Sequence, residues 1–232
     1  MYAREIEGQE FSFGVSGKLI RNVLVMYDRQ TESYWSQLLG EAVAGTMIGT
    51  KLEFLPSWMM TWEQWKELHP DTLALDKQGR RGGSDSYDGY YTSDRAGVIG
   101  KTNDDERLYT KEFVVGVELE NSAVAYPFSV LNEESIINDS IDENELLVVF
   151  DRHGGTGLVY DRYLDGELLT FSQAAENMTV SDEETGTVWD AISGEAIEGP
   201  LAGKQLDRVK STIVFWFGWA DFHPDTLIYG NG

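Results

Sequence analysis

The chain has 232 residues with 40 acidic and 18 basic side chains, and its formal net charge is −22. Such an acidic surface repels phosphate groups, so nucleic acids and anionic membranes are excluded as expected partners. The sequence contains no cysteine and no run of about 18 apolar residues, which excludes disulfide bonds and a transmembrane helix within this chain.

Short strands are predicted over the first part of the chain. Residues 4–6 and 10–13 flank a Glu-Gly turn, which is a hairpin signal. Residues 23–27 form a β-branched, apolar run of the buried type, and they end at a polar turn over residues 28–31. Trp35 then lies on the returning strand. The pattern predicts consecutive short strands joined by turns.

The segment over residues 57–68 is the strongest helix prediction. Trp62 and Trp65 share one helical face, and Thr61, three residues before a glutamine, has the spacing of a capping box. A proline ends the helix, and residues 73–75 are predicted to be a strand. Tryptophans at helical spacing favour packing of this helix onto a sheet over a stacking platform for sugars.

A long irregular connection is predicted over residues 76–110, which contain six glycines among Arg, Asp and Tyr. Long connections of this kind are usually functional or variable in conformation. Tyrosine offers amphipathic contact area at low entropic cost, so the loop can form a recognition surface. The alternative is a loop that folds back over the sheet. The candidate ligand-binding residues of this loop are Arg80, Arg81, Tyr87, Tyr90 and Tyr91.

After the loop, residues 113–119 and 123–126 are predicted to form a hairpin, and a short helix is expected after Pro127. An acidic stretch over residues 132–145 then leads into the second half of the chain.

A glycine-rich turn follows the buried strand predicted over residues 146–150. It contains His153, Gly154 and Gly155, which are candidate ligand-binding residues. A glycine-rich loop after a strand can cradle a phosphate group, but no Lys-Ser or Lys-Thr follows, so the segment is not a P-loop. A hairpin turn between two strands is the alternative interpretation.

The chain also contains a repeat of itself. Residues 28–73 match residues 182–227 without a gap at an offset of 154, and 17 of the 46 aligned positions are identical. A match at an offset of 158 extends the likeness towards the start of the chain. Residues 213–217 favour a strand by propensity, whereas the repeat register predicts a helix over residues 216–223. A chance similarity does not keep tryptophans, glycines and a turn in one register over this length, so two copies of one supersecondary unit are predicted.

The predicted fold is a β-rich α+β protein in which an internally duplicated strand-hairpin-helix unit packs around one core with pseudo-twofold symmetry. Residues 1–75 are the first copy, residues 76–144 a connecting insertion with the long loop and the hairpin, and residues 145–232 the second copy. Either the first strand is missing from the first copy, or the chain is a fragment that begins inside a repeat. Trp65 and Trp219 are expected in like surroundings.

The repeat places two histidines in equivalent positions. His69 and His223 are each followed two residues later by an aspartate, Asp71 or Asp225. Under a pseudo-twofold axis, two imidazoles and two carboxylates can converge into a site that suits zinc or another divalent ion. The alternative is structural, because a histidine in the last turn of a helix interacts favourably with the helix dipole. No other cofactor is evident.

Four sequence segments resemble one known family. They are Phe-Gly-Val-Ser-Gly at 13–17, Val-Met-Tyr-Asp-Arg-Gln-Thr at 25–31, Gly-Glu-Ala-x-x-Gly at 40–45 and Trp-x-x-Phe-His-Pro-Asp-Thr at 219–226. This combination resembles the domain of unknown function 3179 family over nearly the whole chain. The resemblance implies a bacterial or archaeal protein without an established activity. The chain is expected to be soluble, and extracytoplasmic if a leader is missing from it. The Cys-Pro-x-Cys-type segment of the family is absent here, so no thiol chemistry is expected.

The leading interpretation is a non-catalytic module that binds an unknown ligand or partner protein, with residues 76–110 and the turn 154–157 as its recognition edge. The alternative is a metal-dependent, hydrolase-like enzyme that uses His69, His223 and His153. A strand missing from the first copy would leave an exposed sheet edge, so a homodimer is a further hypothesis.

Overall fold

The computed structural model of the chain describes residues 1–76, 88–174 and 178–230. These residues form nineteen strands and four helices, and the fold is β-rich. The strands pair into several sheets that are almost entirely antiparallel. The longest helix in these ranges has seven residues, and no described helix is long and apolar enough to cross a bilayer.

A hairpin, a four-stranded sheet and a helix make up the first part of the chain. They are β1 (Glu5–Ile6), β2 (Gln9–Glu10), β3 (Phe13–Ile20), β4 (Val23–Asp28), β5 (Tyr34–Ser36), β6 (Glu41–Ala44) and α1 (Trp62–Leu68). β1 and β2 form the hairpin predicted at the Glu-Gly turn, and β3 to β6 pair in consecutive antiparallel order. The turns between them are short, so strands that are neighbours in sequence are neighbours in space.

The turn between β4 and β5 is organised by Asp28, whose side chain is fully buried. Its carboxylate accepts hydrogen bonds from Trp35 Nε1 at 2.9 Å, from the Thr31 backbone N–H at 2.5 Å and from the Thr31 hydroxyl at 2.8 Å. Trp35 is fully buried, and the ring of Phe13 meets it edge-on at 5.5 Å. The buried carboxylate therefore closes the turn and fixes the tryptophan on the sheet.

Helix α1 is shorter than the segment predicted over residues 57–68. Thr61 Oγ1 accepts from the backbone N–H of Gln64 at 3.3 Å, and Gln64 Oε1 accepts from the backbone N–H of Thr61 at 3.1 Å. This reciprocal capping box starts the helix after Thr61. Residues 57–61 are not helical, so the predicted start was wrong. The apolar pattern continues across the cap and does not mark where the helix begins.

The middle part of the chain forms a hairpin and a three-stranded sheet. Its elements are α2 (Asp88–Tyr91), β7 (Phe113–Glu118), β8 (Ala123–Pro127), α3 (Phe128–Leu131), β9 (Ile136–Ile141), β10 (Asn144–Asp151) and β11 (Thr156–Asp161). The predicted hairpin is β7–β8, and the predicted short helix after Pro127 is α3. β9, β10 and β11 form an antiparallel sheet in the order β11-β10-β9.

Strand β10 is buried on both faces. Leu147 and Val149 belong to one cluster of buried residues, and Leu146 and Val148 belong to another. Successive side chains of a strand point to opposite faces, so a strand that is covered on both sides requires apolar residues at every position. This explains the continuous apolar run over residues 146–150.

The last part of the chain contains β12 (Tyr163–Leu164), β13 (Glu167–Leu168), β14 (Phe171–Gln173), β15 (Thr179–Asp182), β16 (Val188–Asp190), β17 (Ala196–Glu198), β18 (Ser211–Phe215), α4 (Trp216–Phe222) and β19 (Leu227–Ile228). β12 and β13 form a hairpin, and β14 to β17 form a consecutive antiparallel sheet. β18 and β19 join the middle part in the strand order β18-β7-β8-β19, in which β18 is antiparallel to β7 and β19 is parallel to β8.

Residues 213–217 divide between a strand and a helix. β18 ends at Phe215, and α4 begins at the next residue. The strand expected from propensity and the helix expected from the repeat register are therefore both present, with the strand before the helix.

The buried apolar residues form separate clusters in place of the single core predicted. One cluster contains Trp35 together with residues of the first part alone. Another surrounds Trp189, and a third lies between the β7–β8 hairpin and the β9–β11 sheet. The prediction of one core was wrong because the β3–β6 sheet closes over Trp35 and the β14–β17 sheet closes over Trp189, and both tryptophans are fully buried.

Candidate functional site

Helix α4 is packed against the sheet β18-β7-β8-β19. Trp216 and Trp219 are 0% and 2% exposed. Trp219 lies on Gly116 of β7, where a Cβ atom would come within 2.4 Å of the indole ring. The chain leaves the helix at His223 and returns as β19 alongside β8. The helix and its two flanking strands therefore enclose the β7–β8 hairpin.

Helix α1 has the same local structure as α4. Trp65 donates from Nε1 to Thr72 Oγ1 at 2.9 Å, as Trp219 does to Thr226 Oγ1 at 2.9 Å. In both helices the C-cap histidine ring lies 4.1 Å from the tryptophan ring. The backbone N–H of each of these histidines donates to the carbonyl of the same tryptophan at 2.9 Å. The two helix-turn segments thus share one local motif.

The surroundings of α1 differ from those of α4. No residue of α1 is buried, whereas six residues of α4 are buried. Five apolar side chains on and beside α1, which we call the α1 face, are exposed by the following fractions: Met59 61%, Trp62 51%, Leu68 41%, Leu73 93% and Leu75 89%. An apolar surface of this kind is typical of a site for a protein partner.

Three sequence predictions are wrong at the α1 face. Residues 73–75 were predicted to be a strand, but they are not in one. Trp62 was predicted to lie in the core, but half of its surface is exposed. Trp65 is only partly buried, so its surroundings are unlike those of Trp219. The physical reason is that the β7–β8 hairpin buries α4, and no described residue covers α1 in the same way.

Two backbone segments beside α1 lack a strand partner in the described part of the chain. They are residues 57–61 and residues 73–75. At an offset of 154, they correspond to the β18 segment and to the segment that begins with β19. Those two strands pair with β7 and β8. Among the described residues, the α1 face is thus flanked by two segments without a strand partner, whereas the segments at an offset of 154 hold a β-hairpin between them.

One side of α1 is anchored to the turn between β10 and β11. Gln64 donates from Nε2 to the carboxylate of Asp151. The same carboxylate accepts from the backbone N–H of His153 at 3.1 Å and from that of Gly154 at 3.0 Å. Asp151 is 7% exposed, so these bonds are protected from water. The glycine-rich turn is therefore a hairpin turn that also positions α1.

A cleft of about 710 Å³ lies between α1 and this turn. Its lining combines apolar and charged side chains. The apolar ones are Leu68, Ile136, Val149, Phe150, Met178, Val180, Ala191 and Ile192, the acidic ones are Glu63, Glu67, Asp151 and Asp190, and the basic ones are Arg152 and His153. The side chain of His153 is 99% exposed. The cleft continues the α1 face, because both contain Leu68.

The family model described as Protein of unknown function (DUF3179) matches residues 1–226. The chain belongs to the DUF3179 family. This confirms the resemblance drawn from the sequence motifs. No curated protein matches the chain, and no solved structure matches it.

In this DUF3179 chain the predicted metal ligands line two different cavities. His69 and Asp71 border a shallow pocket at the end of α1, whereas His223 lines a small cavity with Glu118 and Lys210. Within residues 1–76, 88–174 and 178–230, no three His, Asp or Glu side chains form a group that could hold a metal ion. The divalent-metal site stays a prediction from the sequence.

His223 is half-buried beside charged side chains from other elements. Burial is the main influence and lowers the pKa of this imidazole, while Glu118 raises it and Lys210 and Arg21 lower it further. Lys210 Nζ lies 3.1 Å from the Glu118 carboxylate and donates to the Leu39 carbonyl at 3.3 Å. This environment favours the neutral imidazole.

The predicted recognition loop is only partly covered by the described residues. Three of its candidates lie outside them: Arg80, Arg81 and Tyr87. Tyr90 and Tyr91 belong to α2, and both rings lie 6.2 Å from the ring of Phe215. The two tyrosines therefore pack against the residue that precedes α4.

Contacts that join the first part of this DUF3179 chain to the rest were missed by sequence reasoning. Trp58 Nε1 donates to the Ile192 carbonyl at 3.0 Å. The Arg208 guanidinium lies 5.7 Å from the Trp58 ring and 5.2 Å from the Tyr160 ring. The sequence contained one indication that Arg208 has a special role. At the offset of 154 it aligns with Phe54, so a charged residue stands at the position of an aromatic one.

Proposed function

We propose that this chain is a non-catalytic polypeptide-binding module and that the α1 face is its binding surface. The observation that carries the proposal is the contrast between two helices with one local motif. All but one of the α4 residues are buried, whereas no residue of α1 is buried. The five side chains of the α1 face are the positions that a bound polypeptide would cover.

The proposal rests on an inferred organisation of the fold. We infer that residues 1–75 and 145–232 are two copies of one unit, joined by residues 76–144 and related by a pseudo-twofold axis. Hydrogen bonds that recur at offsets of 154 and 158 support this inference. The recurring pairs are Trp35–Asp28 with Trp189–Asp182 at 2.9 Å each, and Tyr2–Leu38 at 2.8 Å with Tyr160–Ile192 at 2.7 Å.

Burial of the α1 face against a partner would provide a substantial driving force for binding. Transfer of a large apolar side chain from water to a protein interior contributes about 1.5–3 kcal/mol. Five such side chains therefore offer several kcal/mol, from which the entropic cost of association must be subtracted. This balance suits a reversible complex with a protein.

The net charge of the chain favours a different protein as the partner over nucleic acid or a second copy of this chain. A net charge of −22 disfavours nucleic acid, and it also disfavours a homodimer because two copies repel each other. The metal-dependent hydrolase stays the alternative from the sequence, but His69 and His223 line separate cavities, and no described contact joins them.

The test is selection of peptides from a random displayed library against the whole chain. Selected peptides are then measured against a double variant, Leu73→Glu with Leu75→Glu. We expect a major class of peptides to lose at least about tenfold in affinity, because two charges replace apolar contacts. Val15→Glu is the matched control, since Val15 is 70% exposed outside the α1 face. The proposal is overturned if every selected peptide binds the double variant as well as the parent chain.

A further inference from the structure

We propose, on the basis of the function proposed above, that the partner supplies a two-stranded antiparallel β-hairpin that inserts between residues 57–61 and residues 73–75. The result would be a four-stranded sheet with α1 packed on one side. The partner would thus bind by adding strands to free edges, a common mode of protein recognition.

The strand order around α4 supplies the geometric argument. In the sheet β18-β7-β8-β19, two strands lie between the segment that enters the helix and the segment that leaves it. The entering segment is antiparallel to its neighbour, and the leaving segment is parallel to its neighbour. α1 has the same tryptophan-threonine and tryptophan-histidine contacts, so its entering and leaving segments offer the same two edges.

The same comparison defines the residues that the hairpin needs on its helix-facing side. Val114, Gly116 and Ala125 of β7 and β8 lie against α4, and Val114 and Ala125 are fully buried there. Trp219 tolerates no Cβ atom at position 116, since the distance to its ring would be 2.4 Å. A hairpin that covers Trp65 therefore requires a glycine opposite the indole and small or β-branched residues around it.

The opposite side of β7 and β8 defines a second requirement. Val115, Val117 and Tyr126 are fully buried against the β9–β11 sheet. The corresponding side chains of an inserted hairpin would not meet α1. They are expected to be covered by the body of the partner or to be polar.

Charge and occupancy argue against a second copy of this chain as the source of the hairpin. A second copy of this chain cannot offer β7–β8, because both of its edges are already paired. Two copies also repel each other through a net charge of −22 each. The exposed helix and turn beside the α1 face carry Glu63, Glu67 and Asp71 against Lys66 alone. A hairpin with basic side chains at its rim is the complement of this surface.

The test uses synthetic peptides based on residues 113–127. The probe peptide carries Glu118→Lys and Glu120→Lys for charge complementarity, and Val115→Thr and Val117→Thr to keep the outward side soluble. The control peptide carries the same changes and Gly116→Leu. Each peptide is also joined to Met1 of the full chain by a flexible linker, because tethering raises the effective concentration and removes any dependence on weak intermolecular affinity.

Hydrogen exchange and tryptophan emission of the full chain report binding. With the tethered probe, we expect amide exchange at residues 57–61 and 73–75 to slow by at least about tenfold and the emission to shift to shorter wavelength, since Trp62 and Trp65 become buried. With the tethered control, neither change is expected. The inference is overturned if the tethered probe gives no protection, or if probe and control protect equally. Library peptides that depend on Leu73 and Leu75 would then leave the proposed function standing while the hairpin is rejected.

Discussion

The indole ring of Trp219 lies directly on Gly116, and a Cβ atom at position 116 would be 2.4 Å from the ring carbons Cε3 and Cζ3. This close approach lets α4 sit on β7 with Trp219 only 2% exposed. The glycine is therefore a packing requirement of the helix, and its φ angle is not in the left-handed region.

We expect Gly116→Ala to destabilise the chain by about 1–3 kcal/mol, because overpacking forces the helix away from the sheet. Urea unfolding followed by circular dichroism measures the loss. Gly89→Ala is the matched control, since a Cβ at position 89 meets no atom within 4 Å. Equal stability of the two variants would contradict the described packing of Trp219.

Leu73→Glu and Leu75→Glu are expected to change the free energy of unfolding by less than about 0.5 kcal/mol in the isolated chain, as substitutions of exposed residues usually do. The two side chains are 93% and 89% exposed. Leu206→Glu is the contrasting variant, because Leu206 is 2% exposed and a buried unpaired carboxylate is strongly destabilising. A loss above about 1 kcal/mol for either exposed leucine would mean that it is covered within the chain.

Features that depend on residues close in sequence were predictable. The capping box of Thr61 and Gln64, the Asp28 turn before Trp35 and the β7–β8 hairpin all depend on partners within a few residues of one another. Local sequence patterns carry the information for such elements, because their hydrogen bonds are formed by the same residues that make the pattern.

Features that depend on distant partners were not predictable from one sequence. The apolar spacing of Trp62 and Trp65 indicates a face that requires burial, but it does not indicate whether a covering strand exists. The bond from Gln64 to Asp151 joins residues 87 positions apart, and the bond from Trp58 to the Ile192 carbonyl joins residues 134 positions apart. The α1 face was therefore visible in the structure alone.

The carboxylate of Asp28 is expected to contribute stability above pH 4 and to lose that contribution in acid. Burial, the largest single influence, raises its pKa, but hydrogen bonds from Trp35, Thr31 and Ser33 outweigh burial, so the pKa lies below its ordinary value of 3.8. The unfolded chain therefore takes up the proton first as the pH falls, and the stability contributed by Asp28 is lost as the pH falls through the folded-state pKa.

We expect Asp28→Asn to cost about 1–3 kcal/mol at pH 7, because buried donors lose a charged acceptor. The difference in unfolding free energy between the variant and the parent chain should shrink below about pH 4, where the parent carboxylate is protonated on unfolding. Urea unfolding at pH 7 and pH 3 checks both expectations. Glu32→Gln makes the same change of charge at an exposed position in the same turn and is expected to be nearly neutral. A constant difference at both pH values would contradict the assigned role of the carboxylate.

The bond from Gln64 to Asp151 is expected to hold α1 against the β10–β11 turn. Thr61→Ala removes the hydroxyl that caps the backbone N–H of residue 64 but leaves the bond to Asp151. Gln64→Ala keeps that cap and removes both the bond to Asp151 and the reciprocal bond from the Thr61 backbone N–H. We expect each variant to increase amide exchange in α1, and Gln64→Ala to increase exchange at His153 and Gly154 as well, because Asp151 loses one of its partners. Exchange rates at the turn that stay unchanged in Gln64→Ala would contradict the coupling between helix and turn.

The stability of the chain is expected to fall between pH 7 and pH 5 through His223. Burial, aided by Lys210 and Arg21 and opposed by Glu118, lowers the pKa of this imidazole below its ordinary value of 6.5. The unfolded chain then binds the proton at a higher pH than the folded chain, so the contribution is complete above about pH 6.5 and is lost progressively below it. His223→Gln should flatten the dependence of the unfolding free energy on pH in this window, as measured by urea unfolding at several pH values. If His223→Gln keeps the slope of the parent chain, the half-buried environment of His223 does not affect its titration.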